Sequence, residues 1–561
     1  MERTRTVSEA DAKRYVDQGW WQNKTLLNPF DAAVLRTPDK TAVVAPGGVR
    51  LTYVELDHLV TKAACGLLKA GVRKGDVVSV QLPNCAEAVV VHLAATRVGA
   101  VTNPLLPNFR AKELRYILGF ARTKVVIIPS QYRNFDFPTM YAELWRDLPD
   151  LAAIYVLGGK GAEGMRDFDS LYVDRELPPM ENADGNDVTV LIFTSGTEST
   201  PKGVMHSHNT FMHATTQMAR VCQLTSDDVI WTPSPVGHGT GFGWGVRLAP
   251  SLGATLVLQD IWDVDEALQL IEQERCTFVL AATPFVVMLL ESPALREPRK
   301  TSLRIFGCAG APVPRLIGEK AREKMGCTLI GMWGLTEGYI ASASSPTAPD
   351  EKLWGTDGCA MPGGVELAIF DEETRTRMLG PGEVGELATR GPNVSLGYFN
   401  DPERTAAVFR EDGWLFTNDL ASMDTDGYIR IAGRKKDTVN RGGLKYSSRE
   451  VEELMLQHPA VAQVAVVAVP DERLGEKACA CIVTRSDASI EFSEMNTYLS
   501  DRGVAKFKLP EYIAVLNSIP MTPSGKIQKF RLRDDIVAGA IVTLPPYKLN
   551  REAGLVCSPS R

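Results

Sequence analysis

Between residue 51 and about residue 335 the sequence alternates two kinds of segment, and that alternation restricts its fold more than any other feature. Uniformly apolar runs such as "DVVSVQL", "TKVVII", "ATLVLQD" and "TFVLAAT" lack the polar alternation of a half-exposed strand. Stretches of helical period separate them: Cys85 to Arg97, Lys112 to Ala121, "VDEALQLIEQERC" and "RLIGEKAREKMG". A strand apolar on both faces is buried on both, and parallel neighbours of this kind need helical crossovers. The fold class is therefore α/β, with a large N-terminal domain of layered α/β subdomains.

The pattern changes after about residue 360. "GGVELAIFDEE", "GEVGELATRG" and "GYIRIAGR" are short strands between Gly and Pro turns, without helices among them, which predicts a small β-subdomain over about 360–432. From Gly433 the chain turns polar and basic, "GRKKDTVNRGGLKYSSRE", with no apolar period. The helix "REVEELMLQHP" and the strands "VAQVAVVAV" and "ACACIVT" follow as a compact α+β unit. These shifts predict an N-terminal domain over 1–432, a junction at 433–437 and a small C-terminal domain over 438–561.

Charge and cysteine usage exclude several classes. A net charge of −7 over 561 residues argues against a nucleic-acid binder that works through a basic field. The ten cysteines form no CxxC pair, so neither a zinc site nor a disulfide framework is signalled, and buried free thiols in a reducing cytoplasm are the better reading. The first residues lack the apolar core of a signal peptide. "AVVVHLAATRVGAV" is short and broken by His92 and Arg97, so no integral membrane segment is expected.

Five segments carry chemistry, each ambiguous when taken alone. "LIFTSGTESTPKGVMHSH" runs from an apolar strand into hydroxyls, glycine amides and Lys202, the composition of an anion-binding turn, although a plain surface loop fits equally. Its spacing is not that of a Walker A loop. "GHGTGFGWG" fails the dinucleotide-binding spacing; its glycines either let backbones pack closely or leave room for a ligand beside His238. "MWGLTEG" sets Trp333 and Glu337 at a turn, where a carboxylate suits Mg²⁺ with substrate phosphates, or where it is merely solvated. Asp419 in "TND" and Arg434 in "GRKKD" suit ribose hydroxyls, as in other nucleotide sites, or are a turn aspartate and a surface arginine. "PSGKIQKF" holds Lys526, a compact charge able to meet a carboxylate and a phosphate together, or a solvated lysine.

The order and distances of these segments are more specific than any one of them. "TSGT..TPKG", "GAP", "GLTEG", "TND", "GRKKD" and "SGKI" together closely resemble the adenylate-forming acyl-activating family, which includes acyl-CoA synthetases, nonribosomal adenylation domains and firefly-type luciferases. The likeness spans about residues 50 to 535. It implies a hinge between a large N-terminal domain and a small, mobile C-terminal one. It further implies that Thr194, Ser195, Gly196, Thr197, Thr200 and Lys202 line a triphosphate loop. Gly310, Ala311 and Pro312 would line the adenine pocket, with Gly334 and with Trp333 where the family usually has tyrosine. Thr336 and Glu337 would contact phosphate and Mg²⁺, and Asp419 and Arg434 the ribose. His238, Gly239 and Gly307 would border the acyl group. Lys436 falls at the hinge, Lys526 matches the adenylation lysine, and Gly442, Gly443 and Lys445 would face CoA.

The implied reaction joins a hydrophobic carboxylic acid to CoA through an acyl-adenylate, with ATP, Mg²⁺ and CoA as cofactors and Lys526, Lys202, Thr336 and Glu337 as the catalytic set. The resemblance is closest to cyclohexanecarboxylate–CoA ligase-like and medium-chain acyl-CoA synthetases, the former sharing the unusual Glu198-Ser199 loop. Glu198 either faces solvent, the favoured reading because its charge would repel a tetra-anion, or shares the Mg²⁺ shell. Asn418 replaces the family's usual glycine but tolerates a left-handed backbone. The chain ends soon after the Lys526 motif, so no fused carrier domain is expected. Two alternatives stay open: a stand-alone ligase that loads a separate carrier protein, and a non-catalytic nucleotide-binding homologue. Oligomeric state is open, a homodimer included.

Overall fold

Two large sheets form the N-terminal domain, as the uniformly apolar runs require. The computed structural model describes residues 4, 7–178, 183–194, 201–295, 298–309, 313, 315–485, 488–521 and 527–547. One sheet has nine strands in the order 359–360, 339–343, 328–335, 305–309, 278–281, 229–232, 255–258, 41–45 and 49–52. Its six strands from 328–335 to 41–45 run parallel, with antiparallel strands at both edges. The other has seven, in the order 202–207, 188–194, 101–104, 77–80, 123–129, 153–157 and 166–167, parallel except for the 188–194/202–207 pair.

One core joins residues of both sheets and the helices between them. The helix Ala86–Arg97 belongs to it and is buried almost all round, which explains the apolar run that is too short for a membrane. Inside it His92 meets the Thr102 hydroxyl at 2.8 Å, and at its end Arg97 pairs with Asp31 and Asp57 at 2.7 Å each. Among the described residues no helix is long and apolar enough to cross a membrane.

An antiparallel four-stranded sheet, 366–370, 385–390, 415–423 and 429–434, forms the β-rich part. The expectation of no helices there is corrected: Pro402–Val408 is helical, capped by Asp401 and opened by a proline whose missing N–H costs nothing at that position. The small C-terminal domain is a five-stranded sheet with the helices Ser448–Met455 and Phe492–Asp501 packed in one apolar cluster and Lys529–Val537 in a second.

Two further readings change. The segment 438–447, without apolar period, is a hairpin: Thr438–Arg441 pairs with Leu444–Ser447 across Gly442 and Gly443. Both glycines have positive φ, +60° and +88°, as a two-residue hairpin turn of matching twist requires. The strand Thr328–Leu335 extends through Trp333 and Gly334, so only Thr336 to Gly338 make the turn.

Candidate functional site

The phosphate-loop candidate is the end of a hairpin. Strand Val188–Thr194 pairs with Lys202–Ser207, Thr194 opposite Lys202, and residues 195–201 connect them. Ser195, Gly196, Thr197, Glu198, Ser199 and Thr200 lie outside the described residues, as do Gly310, Ala311, Pro312 and Lys526. What is described is the frame: a buried strand delivering Thr194 and, directly across, Lys202 to the same sheet edge.

A second group assembles between the nine-stranded and the four-stranded sheets. Asp419, 7% exposed, faces Arg434 in register on the neighbouring strand and accepts its Nε–H at Oδ1, 3.0 Å away. The Trp333 indole N–H donates to Oδ2 of the same carboxylate at 2.9 Å. Three residues proposed from separate motifs thus meet directly. Trp333 is more than a ring surface, since its N–H holds the carboxylate whose second lone pairs remain for hydroxyl donors. Asn418 takes φ +58°, the left-handed conformation that its glycine-like position calls for.

The turn after Trp333 is fixed from two sides. The Thr336 carbonyl accepts a 2.7 Å bond from His206 Nε2, so this buried histidine is the Nε2–H tautomer. Burial pushes His206 down to about 3, which keeps it neutral. Glu337 accepts the Tyr398 hydroxyl at Oε1, 2.7 Å away, while its backbone carbonyl accepts Ser395 N–H at 2.8 Å. Burial and the Glu337 carboxylate together push the Tyr398 phenol far above its usual range, so it stays a donor. Among the described residues no three His, Cys, Asp or Glu side chains gather as a metal site. A single carboxylate whose Oε2 has no hydrogen bond among the described residues suits a Mg²⁺ ion that completes its shell with phosphate oxygens, and the residues fit that ion.

The glycine run 237–245 is mostly helix rather than loop. His238 caps Gly239–Gly241, its Nδ1 accepting Thr240 N–H at 3.2 Å, and the helix continues through a wider turn over Phe242–Arg247 to Leu252. Both roles foreseen for the glycines occur. A Cβ on Gly241 would stand 2.4 Å from the Ser234 and Pro235 carbonyls, and one on Gly245 2.4 Å from Thr232 Oγ1. A Cβ on Gly239 would meet nothing within 4 Å, so open space adjoins His238. Gly307 instead makes room for Met332, whose Cε and Sδ lie 3.0 Å from where its Cβ would be.

Toward the C-terminal domain, Lys436 follows strand Ile429–Arg434 in a short turn, and Gly442 and Gly443 sit at an exposed hairpin tip. The side chains of Lys436 and Lys445 lie outside the described residues. Sequence reasoning missed the group beside this junction. Glu386, fully buried, accepts two 2.9 Å bonds from Arg375, one of 3.1 Å from Lys435 Nζ and one of 3.1 Å from the Asn418 N–H. Only its position in "GEVGELATRG" hinted at it: a carboxylate directly before the apolar Leu387 and Ala388 of a short strand.

Comparison with known proteins agrees with this geometry. The signature of the AMP-binding enzyme family matches residues 30–399, and that of the AMP-binding enzyme C-terminal domain matches 450–526. The chain is 38% identical to a medium-chain fatty-acid–CoA ligase of Escherichia coli K12, over 96% of this chain and 95% of the relative. It is 32% identical to a 2,3-dihydroxybenzoate-AMP ligase of Bacillus subtilis, over 94% and 96%. The solved structure of ATP-bound MatB from Rhodopseudomonas palustris superposes with a TM-score of 0.82 at 28% identity, covering 91% of this chain and 99% of that one.

Proposed function

Because the chain belongs to the AMP-binding enzyme family, we propose that it is an ATP-dependent carboxylate–CoA ligase for a hydrophobic acid of medium size. One observation carries the reading: Asp419 accepts both Trp333 and Arg434 from separate strands, while Lys202, in register with Thr194 at its strand end, lies over the ring of the tyrosine that bonds Glu337. Ligands of α/β sheets bind outside such strand ends.

In the first half-reaction a carboxylate oxygen attacks the α-phosphorus of ATP, the α–β bridging P–O bond breaks, and pyrophosphate leaves with the electron pair. Asp419 holds the ribose hydroxyls, and Arg434 and Trp333 hold Asp419. Lys202 meets the β- and γ-phosphates, and Thr194, Ser195, Gly196, Thr197 and Thr200 surround them. Gly310, Ala311, Pro312 and Gly334 border the base. Bound Mg²⁺, held by Glu337 and the phosphates, would supply further positive charge. Lys526 bridges the carboxylate and the α-phosphate, where charge builds in the transition state. His238 and the open space at Gly239 adjoin the acyl chain.

In the second half-reaction the CoA thiolate attacks the acyl carbon, the acyl–phosphate C–O bond breaks, and AMP leaves. We place the domain junction at 433–437, with Lys436 as the pivot that removes Lys526 and brings Gly442, Gly443 and Lys445 toward CoA. Of the three ion pairs that cross the junction among the described residues, Arg449–Asp357 is largely buried at 3.9 Å, and the other two support such a movement. Arg430–Glu453 at 3.1 Å and Arg485–Glu291 at 3.3 Å have exposed arginines, and pairs of this kind contribute about 0–1 kcal/mol each. The free, mostly buried cysteines suit a cytoplasmic enzyme, and a homodimer is compatible with the proposal.

The test is pyrophosphate release over a panel of carboxylic acids, with CoA, with a carrier protein, and with neither. Acid-dependent pyrophosphate release, followed by AMP and acyl-CoA only when CoA is added, is the expected result. Loading of carrier but not CoA would move the enzyme to the acyl-AMP ligase reading, and ATP binding without acid-dependent pyrophosphate release would make it a non-catalytic homologue.

A further inference from the structure

Tyr398 stands between two charges that the nucleotide reading uses and is itself unassigned by it. The residue is 2% exposed, and its backbone lies against the triphosphate hairpin, bridged to Val204 in antiparallel register. Flanking bonds extend this seam: Phe399 N–H to the Gly203 carbonyl at 2.7 Å, Met205 N–H to the Gly397 carbonyl at 3.1 Å, and Leu396 N–H to the Met205 carbonyl at 2.8 Å. On the other side the same segment grips the acidic turn, through Ser395 N–H on the Glu337 carbonyl and Asn393 Nδ2 on the Gly338 carbonyl at 2.6 Å. The backbone thus ties hairpin and turn together, and the side chain does the same.

The Tyr398 hydroxyl donates to Glu337 Oε1 at 2.7 Å, and the Lys202 ammonium sits 4.8 Å from the centroid of its ring. The two contacts act on opposite charges by different physics. An O–H donor to a carboxylate is charge-assisted and sets the carboxylate's rotamer before a cation arrives. The ring face attracts the ammonium through its quadrupole and needs no anion to do so. A carboxylate in the ring's place would neutralise Lys202 and compete with phosphate; an aromatic ring holds the lysine and leaves its charge available.

We propose that Tyr398 is a positioning residue of the triphosphate site, its hydroxyl orienting Glu337 for the divalent cation and its ring placing Lys202 for the phosphates. The inference rests on the ligase reading above for the identity of the ligand. It is placed as a positioning and not a catalytic residue because its hydroxyl and ring act on Glu337 and Lys202.

Calorimetric titration of ATP into the full chain at rising free Mg²⁺ reads the proposal without turnover. In Tyr398→Phe the Mg²⁺ concentration that half-supports binding rises about tenfold, while affinity at saturating Mg²⁺ changes less than about twofold. Tyr398→Leu, which removes the ring as well, weakens ATP about fivefold more even at saturating Mg²⁺. In a Glu337→Gln background Tyr398→Phe has no further effect on the Mg²⁺ requirement, a non-additivity that a general loss of packing does not produce. A Tyr398→Phe variant with the wild-type Mg²⁺ requirement overturns the proposal. So does additivity with Glu337→Gln, and if Tyr398→Leu fails to fold the Phe and Gln pair still decides. Wild-type protein without acid-dependent pyrophosphate release, measured in parallel, would instead count against the ligase reading.

Discussion

Replacing Asp419 by alanine separates the ribose assignment from a purely structural role. The carboxylate is 7% exposed and already accepts Trp333 Nε1–H at 2.9 Å and Arg434 Nε–H at 3.0 Å. Two ribose hydroxyls would add two charge-assisted bonds, each contributing about 1.5–3 kcal/mol net of competition with water, so about 3 kcal/mol is the lower end of the total. That corresponds to about 150-fold weaker ATP binding. The same substitution leaves a buried indole N–H without its acceptor, which costs about 1–2 kcal/mol of folding stability by itself. The two effects divide cleanly in a cycle with 2′,3′-dideoxy-ATP. Wild-type protein should bind ATP about 150-fold more tightly than the dideoxy analogue, and Asp419→Ala should bind both equally poorly. Equilibrium titration supplies the four affinities, and urea unfolding checks that the variant is folded. If Asp419→Ala still prefers ATP over the dideoxy analogue by the wild-type factor, this carboxylate does not hold the ribose.

Three further outcomes are expected. Lys526→Ala should reduce acid-dependent pyrophosphate release by about 100-fold or more yet spare thioester formation from supplied acyl-adenylate; equal loss in both half-reactions would refute its assignment. Burial holds His206 and His208 near 3 and His213 near 4 in the folded chain, below the ordinary 6.5. The unfolded chain therefore binds more protons, and stability present above pH 6.5 is lost as pH falls from there toward 3–4, by about 4 kcal/mol for the three between pH 7 and 5.5. Equal urea midpoints at those two pH values would contradict it. Gly241→Ala should destabilise by about 1–3 kcal/mol, because its Cβ would lie 2.4 Å from two backbone carbonyls, whereas Gly239→Ala should leave the melting temperature unchanged. Indistinguishable melting temperatures for the two variants would show that the helix can shift at little cost.

Much of the fold was legible because burial leaves a local record. The helix expected at Cys85 to Arg97 is Ala86–Arg97 with Cys85 at its N-cap, and the one expected at Lys112 to Ala121 is Ala111–Phe120. Where the record was misleading, contacts remote in sequence decided. The glycine run 237–245 has no helical period, yet it is helical from Gly239, with the Ser234 and Pro235 carbonyls close against Gly241 and the Thr232 side chain against Gly245. The polar stretch 438–447 forms strands because Gly442 and Gly443 can turn and because Arg441 then pairs with Gly475.

For the site, residue types and their order already set the chemistry on offer: a hydroxyl- and lysine-bearing turn, an acidic turn, an aspartate and an arginine, in a fixed order along the chain. Residue types and short spacings suffice for that, since each motif's groups are neighbours through covalent geometry. Which groups share a partner or a bond follows from the folded chain alone. Trp333 holds Asp419 across 86 residues, Tyr398 holds Glu337 across 61, and Glu386 gathers Arg375, Asn418 and Lys435 in a buried cluster. Such pairings depend on sheet register and on the packing of whole layers against each other, and no local pattern of residues encodes those distances.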